Sequence, residues 1–173
     1  FWPSGELAAH YRKPYLFGFN DGEALQVRAG DEVVVVDTPL GPTGLATCYD
    51  LRFPEHFRDL TDAGAQTVLL TSGWPLVRIR HWDILIRARA IENQTWLLAA
   101  NATGYSGSVK LGGRSTVVDP WGEAVVAEIG TPALTARIDP EAVAVTRADF
   151  PVLADRRPDS PVVTATTGTS SAH

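Results

Sequence analysis

The single cysteine of the chain, Cys48, occupies a position that suits a nucleophile. Residues 45–48 end an apolar run that predicts a buried strand. Pro54 and Glu55 predict the first turn of a helix, where proline is tolerated because no backbone donor is needed. Backbone N–H groups in a turn between strand and helix can hold an anion. A thiol there can attack a carbonyl or nitrile carbon and leave an oxyanion beside those donors. The alternative for a lone cysteine is a small buried hydrophobe.

Hydrolysis of an amide or a nitrile near neutral pH requires further groups beside the thiol. A thiolate is the best nucleophile among the side chains and is favoured beside a cation. Both steps of such a hydrolysis also need a carboxylate to move protons. Lys13 can supply the cation if the fold brings it to Cys48, and its aromatic and apolar neighbours predict a partly buried strand. The alternative for Lys13 is a solvated surface lysine.

The octet CYDLRFPE at residues 48–55 resembles the nucleophile motif of the nitrilase superfamily, the carbon–nitrogen hydrolases. Its form is more similar to the ω-amidase and deaminated-glutathione-amidase branches than to true nitrilases. Other segments resemble the family in the same order along the chain. They are residues 11–17, Glu23 with Gly30, residues 69–75, His81-Trp82, residues 88–94, 113–115, 119–122 and 150–153, and Arg156-Arg157.

The resemblance implies a fold and a reaction. The fold is an α/β nitrilase-like α-β-β-α sandwich of four layers. The reaction is hydrolysis of a non-peptide carbon–nitrogen bond in a small linear amide, or a nitrile, with release of ammonia. Cys48 would carry the intermediate as a thioester, preceded by a thioimidate when the substrate is a nitrile. No metal or cofactor is required by this chemistry.

The resemblance also assigns roles to individual residues. Lys13 would donate a hydrogen bond to the oxyanion, and the backbone N–H of Tyr49 would be the second donor. Glu23 would orient the lysine and the substrate, and its alternative is an exposed turn acid. Following an apolar strand, Ser72 and Gly73 are expected to line the substrate pocket.

Trp74 continues the same loop and is also a candidate pocket residue, with core packing as its alternative. We expect Arg52 and Glu55 to anchor the helix after Cys48 rather than to touch substrate. Glu92 stands near two arginines on a predicted helix and is expected to form a structural ion pair.

One departure from the family pattern concerns the general base. The family uses a Glu-Lys-Cys triad, with the base glutamate in a segment well before the lysine. This sequence begins twelve residues before Lys13, and the acid in that stretch, Glu6, has none of the surroundings of the family's glutamate. We therefore expect residues 1–157 to be a partial nitrilase-like domain, lacking its N-terminal part. We expect residues 158–173, rich in Ser, Thr and Pro, to be a disordered tail.

Hydrophobic periodicity predicts the elements that position these residues. Apolar residues at helical spacing and β-branched runs alternate along the first hundred residues, as in a sheet covered by helices. The predicted strands are residues 32–36, 45–48, 67–71, 96–100, 116–118, 124–128 and 134–138. The predicted helices are residues 56–63 and 79–94, with a turn at 38–43 and a loop at 104–113.

Composition excludes several classes of protein and site. At 173 residues the chain fits one domain, and its net charge of −5 argues against nonspecific nucleic-acid binding. A single cysteine excludes an internal disulfide and a multi-cysteine zinc site, and is compatible with the cytoplasm. No apolar run approaches the roughly 20 residues of a membrane span. The resemblance further implies a small-molecule amide substrate and a homo-oligomer.

Two alternatives to a cysteine-dependent amidohydrolase remain open. The first is a non-catalytic fragment or remnant without the general base, with an assembly role or none. The second is a Cys–His hydrolase that uses His56, on the predicted helix after Cys48, or His81, at the start of the next helix. Solvated histidine is the usual outcome for both imidazoles.

Overall fold

The body of the protein is a mixed β-sheet with helices on one face. The structure, a computed structural model, describes residues 1–18, 22–126 and 133–157. The strands of the sheet lie in the order β1-β2-β3-β4-β7-β8, with β2, β3 and β4 parallel and the outer pairs antiparallel. Their bounds are β1 Val35–Thr38, β2 Gly41–Thr47, β3 Thr67–Ser72, β4 Trp96–Asn101, β7 Thr116–Val118 and β8 Ala124–Val126. A separate hairpin joins β5 Tyr105–Ser106 to β6 Val109–Lys110.

Two helices connect the three parallel strands. Helix α1, Pro54–Asp62, has proline in its first turn, and it is followed by Gly64 in a left-handed conformation (φ 93°). Helix α2, Ile79–Asn93, ends at Gln94, which also adopts left-handed φ. Side chains of both helices pack with side chains of the strands in one hydrophobic core, so the two helices cover the same face of the sheet. Its largest fully buried members are Trp82, Phe57, Leu51, Leu60, Leu70, Ile86 and Leu97.

The opposite face of the sheet carries a continuous row of apolar side chains, one on each of the strands β2, β3, β4, β7 and β8. Its members pair directly across the ladder and are Leu45, Leu69, Leu98, Val117 and Val125. Four of them are half-buried and Val125 is 49% exposed. The sequence neighbours of Leu69, Leu98 and Val117 are nearly inaccessible and point to the helix side, as the period of two in a strand requires. We call these five residues the apolar row.

The structure corrects the predicted first strand. The strand expected at residues 32–36 lies instead at Val35–Thr38, because a tight turn at Pro39 and Leu40 sets the pairing with β2. The predicted turn at residues 38–43 therefore shrinks, and β2 begins earlier than residue 45.

Further corrections concern the second half of the chain. The loop expected at residues 104–113 contains the β5–β6 hairpin. Residues 134–138 keep the alternating burial of a strand but pair with no other described strand. The predicted strand at residues 124–128 is confirmed to Val126, and its end lies outside the described residues, as does the tail at 158–173. Helix α3, Ala142–Asp149, was not predicted.

The described residues supply one large sheet of the implied four-layer sandwich, with its helical layer. The helices and strands expected between residues 45 and 118 otherwise lie within a few residues of their predicted bounds. Within the described ranges, no helix has both the length and the apolar character needed to cross a bilayer.

Candidate active site

Cys48 lies on a strained turn between β2 and α1. Its backbone has a φ of 50°, in the left-handed region that non-glycine residues rarely adopt. A 3₁₀ turn, Cys48–Arg52, follows immediately and leads into Pro54 of α1. The thiol is free and half-buried, and it is partly packed against the core. The predicted placement of a thiol between strand and helix is therefore confirmed.

Asp50 holds this turn in place. Its side chain is fully buried and accepts a hydrogen bond from the Thr47 backbone N–H (2.7 Å), while the Thr47 hydroxyl accepts one from the Asp50 backbone. This reciprocal pair is a capping box, which satisfies donors that the start of a helical turn leaves free. The box brackets Cys48 and fixes the backbone on both sides of it.

Asp50 also connects the turn to the segment that carries Lys13. The Tyr11 hydroxyl donates to Asp50 Oδ2 (2.5 Å), and the Tyr15 backbone N–H donates to Oδ1 (3.3 Å). Burial, followed by the hydrogen bond to Asp50, raises the pKa of Tyr11 far above its usual value, so its hydroxyl remains a donor. The lysine segment is thus held to the cysteine turn on either side of residue 13.

Lys13 forms an ion pair with Glu23. The Lys13 ammonium lies 2.5 Å from Glu23 Oε2 and is largely buried, with 12% of its side chain exposed. The same oxygen accepts the Phe17 backbone N–H (2.8 Å). Burial raises the pKa of Glu23, but the hydrogen bonds from Lys13 and Phe17 outweigh it, and the net pKa is lowered. Gly30 donates its N–H to the Lys13 carbonyl, and a side chain at residue 30 would collide with the Arg12 carbonyl.

A cavity of about 610 Å³ opens beside the thiol. It is bounded by the turn after β2, the loop after β3, the 3₁₀ turn Leu76–Arg78 and the β5–β6 hairpin. Its lining includes Cys48, Tyr49, Ser72, Gly73, Trp74, Glu23, Phe17, Arg52, Arg78, Ser106, Val109 and Leu111. Six of the seven predicted site residues therefore share one cavity.

The seventh, Lys13, does not line this cavity in the described part of the chain. It borders a second space of about 450 Å³, and Glu23 lines both. Glu23 binds the lysine ammonium and also lines the cavity that contains Cys48. The approach of the ammonium to the sulfur of Cys48 stays a prediction.

Asn101 shapes the loop after β3. Its side-chain oxygen accepts the Trp74 backbone N–H (2.6 Å), and its amide donates to the Gly113 carbonyl (2.6 Å). Trp74 is 2% exposed and its indole N–H donates to the Arg78 carbonyl (2.8 Å), so it packs in the core and lines the cavity as well. Ser72 Oγ is buried without a hydrogen-bond partner among the described residues.

Arg52 is among the residues that line the cavity, and its guanidinium lies 4.8 Å from the centre of the Trp74 ring. The indole face provides the site for a cation at that position. The role of Arg52 as an anchor of the helix that does not touch substrate stays a prediction. Arg78, which the sequence reasoning missed, lines the same cavity, with its guanidinium 5.6 Å from the Phe17 ring centre.

The two candidate histidines, His56 and His81, are not among the residues that line the cavity. His56 is buried behind the cysteine turn, with Nε2 3.3 Å from the Leu45 carbonyl and 3.4 Å from the Tyr11 hydroxyl. His81 is exposed, with Nδ1 3.3 Å from Arg52 Nη2. These contacts do not support a Cys–His hydrolase.

The predicted ion pair of Glu92 is confirmed. Glu92 bonds Arg89 at 2.9 Å, and Arg89 donates to the Leu51 carbonyl beneath the turn. Asp50 was missed as a structural centre although it lies inside the motif, because its partners Tyr11 and Tyr15 are distant in sequence.

Comparison with known proteins identifies the family. Residues 1–148 match the family model described as carbon-nitrogen hydrolase, and that range contains every segment lining the cavity. The chain belongs to the carbon–nitrogen hydrolase family. The predicted nitrilase superfamily membership and nitrilase-like α/β fold are therefore confirmed.

Relatives within this family are amidases. The 2-oxoglutaramate amidase of Paenarthrobacter nicotinovorans is 44% identical over 164 residues, which cover 92% of this chain and 56% of that protein. The deaminated glutathione amidase of Rattus norvegicus is 43% identical over 165 residues, covering 90% of this chain and 50% of that protein. The predicted likeness to these two branches is confirmed.

A solved structure extends the comparison. A mutant of the amidase from Nesterenkonia sp. AN1, which shows the result of Michael addition of acrylamide at its active-site cysteine, is 29% identical. Its TM-score is 0.70, and the match covers 84% of this chain and 57% of that one. The chain thus spans about half the length of these three relatives.

Proposed function

We propose that the protein hydrolyses a small linear amide through a covalent intermediate on Cys48. The observation that carries this proposal is a free thiol on a strained turn, facing a cavity that also contains Glu23 in its ion pair with Lys13. The Michael adduct of acrylamide on the active-site cysteine of the Nesterenkonia amidase supports a nucleophilic thiol in a relative.

The first step would form a thioester. The sulfur of Cys48, as a thiolate, attacks the amide carbon, the carbonyl oxygen takes up negative charge, and the carbon–nitrogen bond breaks as ammonia leaves with an added proton. Tyr49, whose backbone N–H opens the 3₁₀ turn after the thiol, is the proposed oxyanion donor. Ser72 and Gly73 would position the amide from the opposite loop, because both line the cavity.

The second step would release the acid. Water attacks the thioester carbon, the carbon–sulfur bond breaks, and a carboxylic acid leaves as the thiol is regenerated. Glu23 lines the cavity and binds the Lys13 ammonium, so the lysine would supply positive charge near the reacting carbonyl while the carboxylate keeps the ammonium in place. The general base for both steps is the glutamate that the family resemblance implies.

Thiol reactivity tests this proposal directly, because the chain has one cysteine. We expect iodoacetamide to alkylate Cys48 in the folded protein at least about tenfold faster than in urea, since reactive cysteines occupy partly exposed sites with cations nearby. Lys13→Gln should remove most of this acceleration. Intact mass spectrometry gives the rates, and Arg58→Gln, on α1 and outside the cavity lining, is a control of equal charge change.

Amide hydrolysis provides the second test. Ammonia release from small amides, assayed with the general-base glutamate present, should require the sulfur, so Cys48→Ala and Cys48→Ser should both abolish it. A thiol that reacts no faster folded than unfolded, together with no ammonia release, would favour the non-catalytic alternative. Hydrolysis by Cys48→Ala at the wild-type rate would eliminate Cys48 as the nucleophile.

A further inference from the structure

A buried imidazole lies directly behind the cysteine turn and has no part in the proposed chemistry. His56 occupies the first turn of α1 and is 2% exposed. Its Nε2 lies 3.3 Å from the Leu45 carbonyl of β2 and 3.4 Å from the Tyr11 hydroxyl. The imidazole therefore contacts three parts of the chain at once, namely the helix after Cys48, the strand before it and the segment that carries Lys13.

The two neighbours of Nε2 determine that this nitrogen carries a proton. A backbone carbonyl only accepts hydrogen bonds, so the Leu45 contact requires a hydrogen on Nε2 of His56. The hydroxyl hydrogen of Tyr11 is donated to Asp50 Oδ2, at 2.5 Å. The Tyr11 oxygen therefore accepts from Nε2–H, which is shared between two acceptors. The result is a directed chain of hydrogen bonds from His56 through Tyr11 to Asp50.

The direction of this chain matters because a tyrosine hydroxyl can rotate and can either donate or accept. If the Tyr11 hydroxyl turned toward His56, its hydrogen would face another donor hydrogen, and the buried Asp50 would lose a partner. Aromatic rings hold the imidazole in place. It lies edge-on to the rings of Tyr15 and Phe57, with centroids 6.1 Å and 5.9 Å away. The imidazole is thus a fixed donor that sets the orientation of the Tyr11 hydroxyl.

We propose that His56 is a positioning residue, whose Nε2–H keeps the Tyr11 hydroxyl directed at Asp50. Asp50 in turn holds the lysine segment to the cysteine turn. His56 is not among the cavity-lining residues, so it acts through Tyr11 and not on the substrate. Its consequence for reactivity rests on the proposed function, in which Lys13 supplies positive charge near the reacting carbonyl at Cys48.

Amide hydrogen exchange measures the attachment of the lysine segment directly. The Tyr15 N–H donates to Asp50 Oδ1, so its exchange rate reports how often the segment leaves the carboxyl group. We expect His56→Leu, an apolar replacement without a donor, to accelerate exchange at Tyr15 at least about fivefold. His56→Gln, whose side-chain amide can donate to the same acceptors, should keep the rate within about twofold of the wild type. Residue-resolved NMR gives these rates.

Thiol reactivity is the second readout. His56→Leu should slow alkylation of folded Cys48 by iodoacetamide at least about threefold, and His56→Gln should not. In a Tyr11→Phe background His56→Leu should have no further effect, because the chain is already broken at the hydroxyl. Ile86→Ala, at a buried position of α2 outside the cavity lining, is the control for lost stability. It should lower the urea midpoint and leave both readouts unchanged.

The outcomes separate this inference from the proposed function. Equal exchange at Tyr15 in wild type and His56→Leu, or a loss that His56→Gln also shows, would overturn the positioning role, whatever the reactivity of Cys48. Equal acceleration by Ile86→Ala, or additive effects of the Tyr11 and His56 substitutions, would overturn it as well. A thiol that reacts equally fast in the folded and the urea-unfolded protein would instead count against Cys48 as a poised nucleophile, and the exchange rates would still decide the role of His56.

Discussion

The buried side chain of Asp50 connects the two segments of the candidate site, the cysteine turn and the segment that carries Lys13. One carboxyl group receives donors from the cysteine turn and from both sides of Lys13. Burial of a carboxyl group destabilises the fold unless its oxygens accept hydrogen bonds or bind a cation. Asp50 is fully buried, and its oxygens accept hydrogen bonds. Its loss would therefore loosen the turn and the lysine segment together.

We predict that Asp50→Ala lowers the free energy of unfolding by about 3 kcal/mol, because it strands three donors and removes a cap. Tyr11→Phe, which deletes one of those donors, should cost about 1 kcal/mol. Urea denaturation followed by tryptophan fluorescence measures both. Asp59→Ala, an exposed site on α1, should stay within about 0.5 kcal/mol of the wild type. Equal losses for Asp50 and Asp59 would contradict the role assigned to Asp50.

The ion pair of Glu23 with Lys13 should make the stability of the fold depend on pH. The pKa of Glu23 is lowered in the folded protein, so its ion pair stabilises the fold above the unfolded value of about 4.3 and is lost as the pH falls through the folded value. Glu23→Gln should therefore be less stable than wild type at pH 7, and the gap should close below about pH 4. Because 42% of the side chain is exposed, the gap should remain below about 1 kcal/mol. Urea midpoints from pH 3 to 7 test this, and a gap independent of pH would refute it.

At the scale of the elements, the sheet has two unequal faces. Leu97 points toward α1 and α2 and is 1% exposed, whereas its neighbour Leu98 belongs to the half-buried apolar row. The two residues have the same chemistry and adjacent positions on one strand. They therefore form a matched pair for measuring what covers each face.

We predict that Leu97→Ala costs about 3 kcal/mol of unfolding free energy and Leu98→Ala about 1 kcal/mol. The difference arises because truncation of Leu97 leaves a cavity under the helices, while Leu98 has fewer neighbours to lose. Urea denaturation of both variants gives the comparison. Equal costs would indicate that the apolar row is covered in solution.

The central helices and strands could be predicted from the sequence because their apolar residues recur with the period of a helix or of a strand. The apolar spacing that predicted a helix at residues 79–94 corresponds to α2, Ile79–Asn93, and the strand expected at residues 67–71 appears as β3. Residues 134–138 show the limit of this reasoning. They alternate in burial, but a strand also needs a hydrogen-bonding neighbour, which a single-sequence pattern does not specify.

The sequence predicted which residues lie at the candidate site better than it predicted the contacts between them. The motif resemblance pointed to Cys48, Glu23 and Ser72 as site residues, and in the structure all three line one cavity. The contacts of Asp50 and the cavity position of Arg78 escaped prediction, because they depend on tertiary packing between segments far apart in sequence.

At the scale of the whole molecule, the segment that carries α3 is fastened to the junction between α2 and β4. Arg147 Nη2 donates to the carbonyls of Ala65 and Asn93, both at 3.2 Å. Gln94 donates to the Phe150 carbonyl (2.7 Å), and the Trp96 indole donates to the Asp139 carbonyl (2.9 Å). These contacts hold the end of the described chain against the sheet.

We predict that Arg147→Met lowers the unfolding free energy by about 1–2 kcal/mol and accelerates proteolytic cleavage within residues 139–157. Arg156→Met removes a half-exposed ion pair with Asp62, and it should cost less stability than Arg147→Met. Limited proteolysis with mass analysis of the fragments locates the cleavage. Equal protection of both variants would show that Arg147 is not the tether.

The apolar row has a calorimetric consequence. Heat capacity rises on unfolding mainly because hydrocarbon becomes newly hydrated, at about 12–15 cal/mol/K per residue for ordinary globular domains. Side chains that remain in contact with solvent in the native state add little to that increment. The stability curve of this chain should accordingly be flatter against temperature than that of a fully covered sheet of equal length.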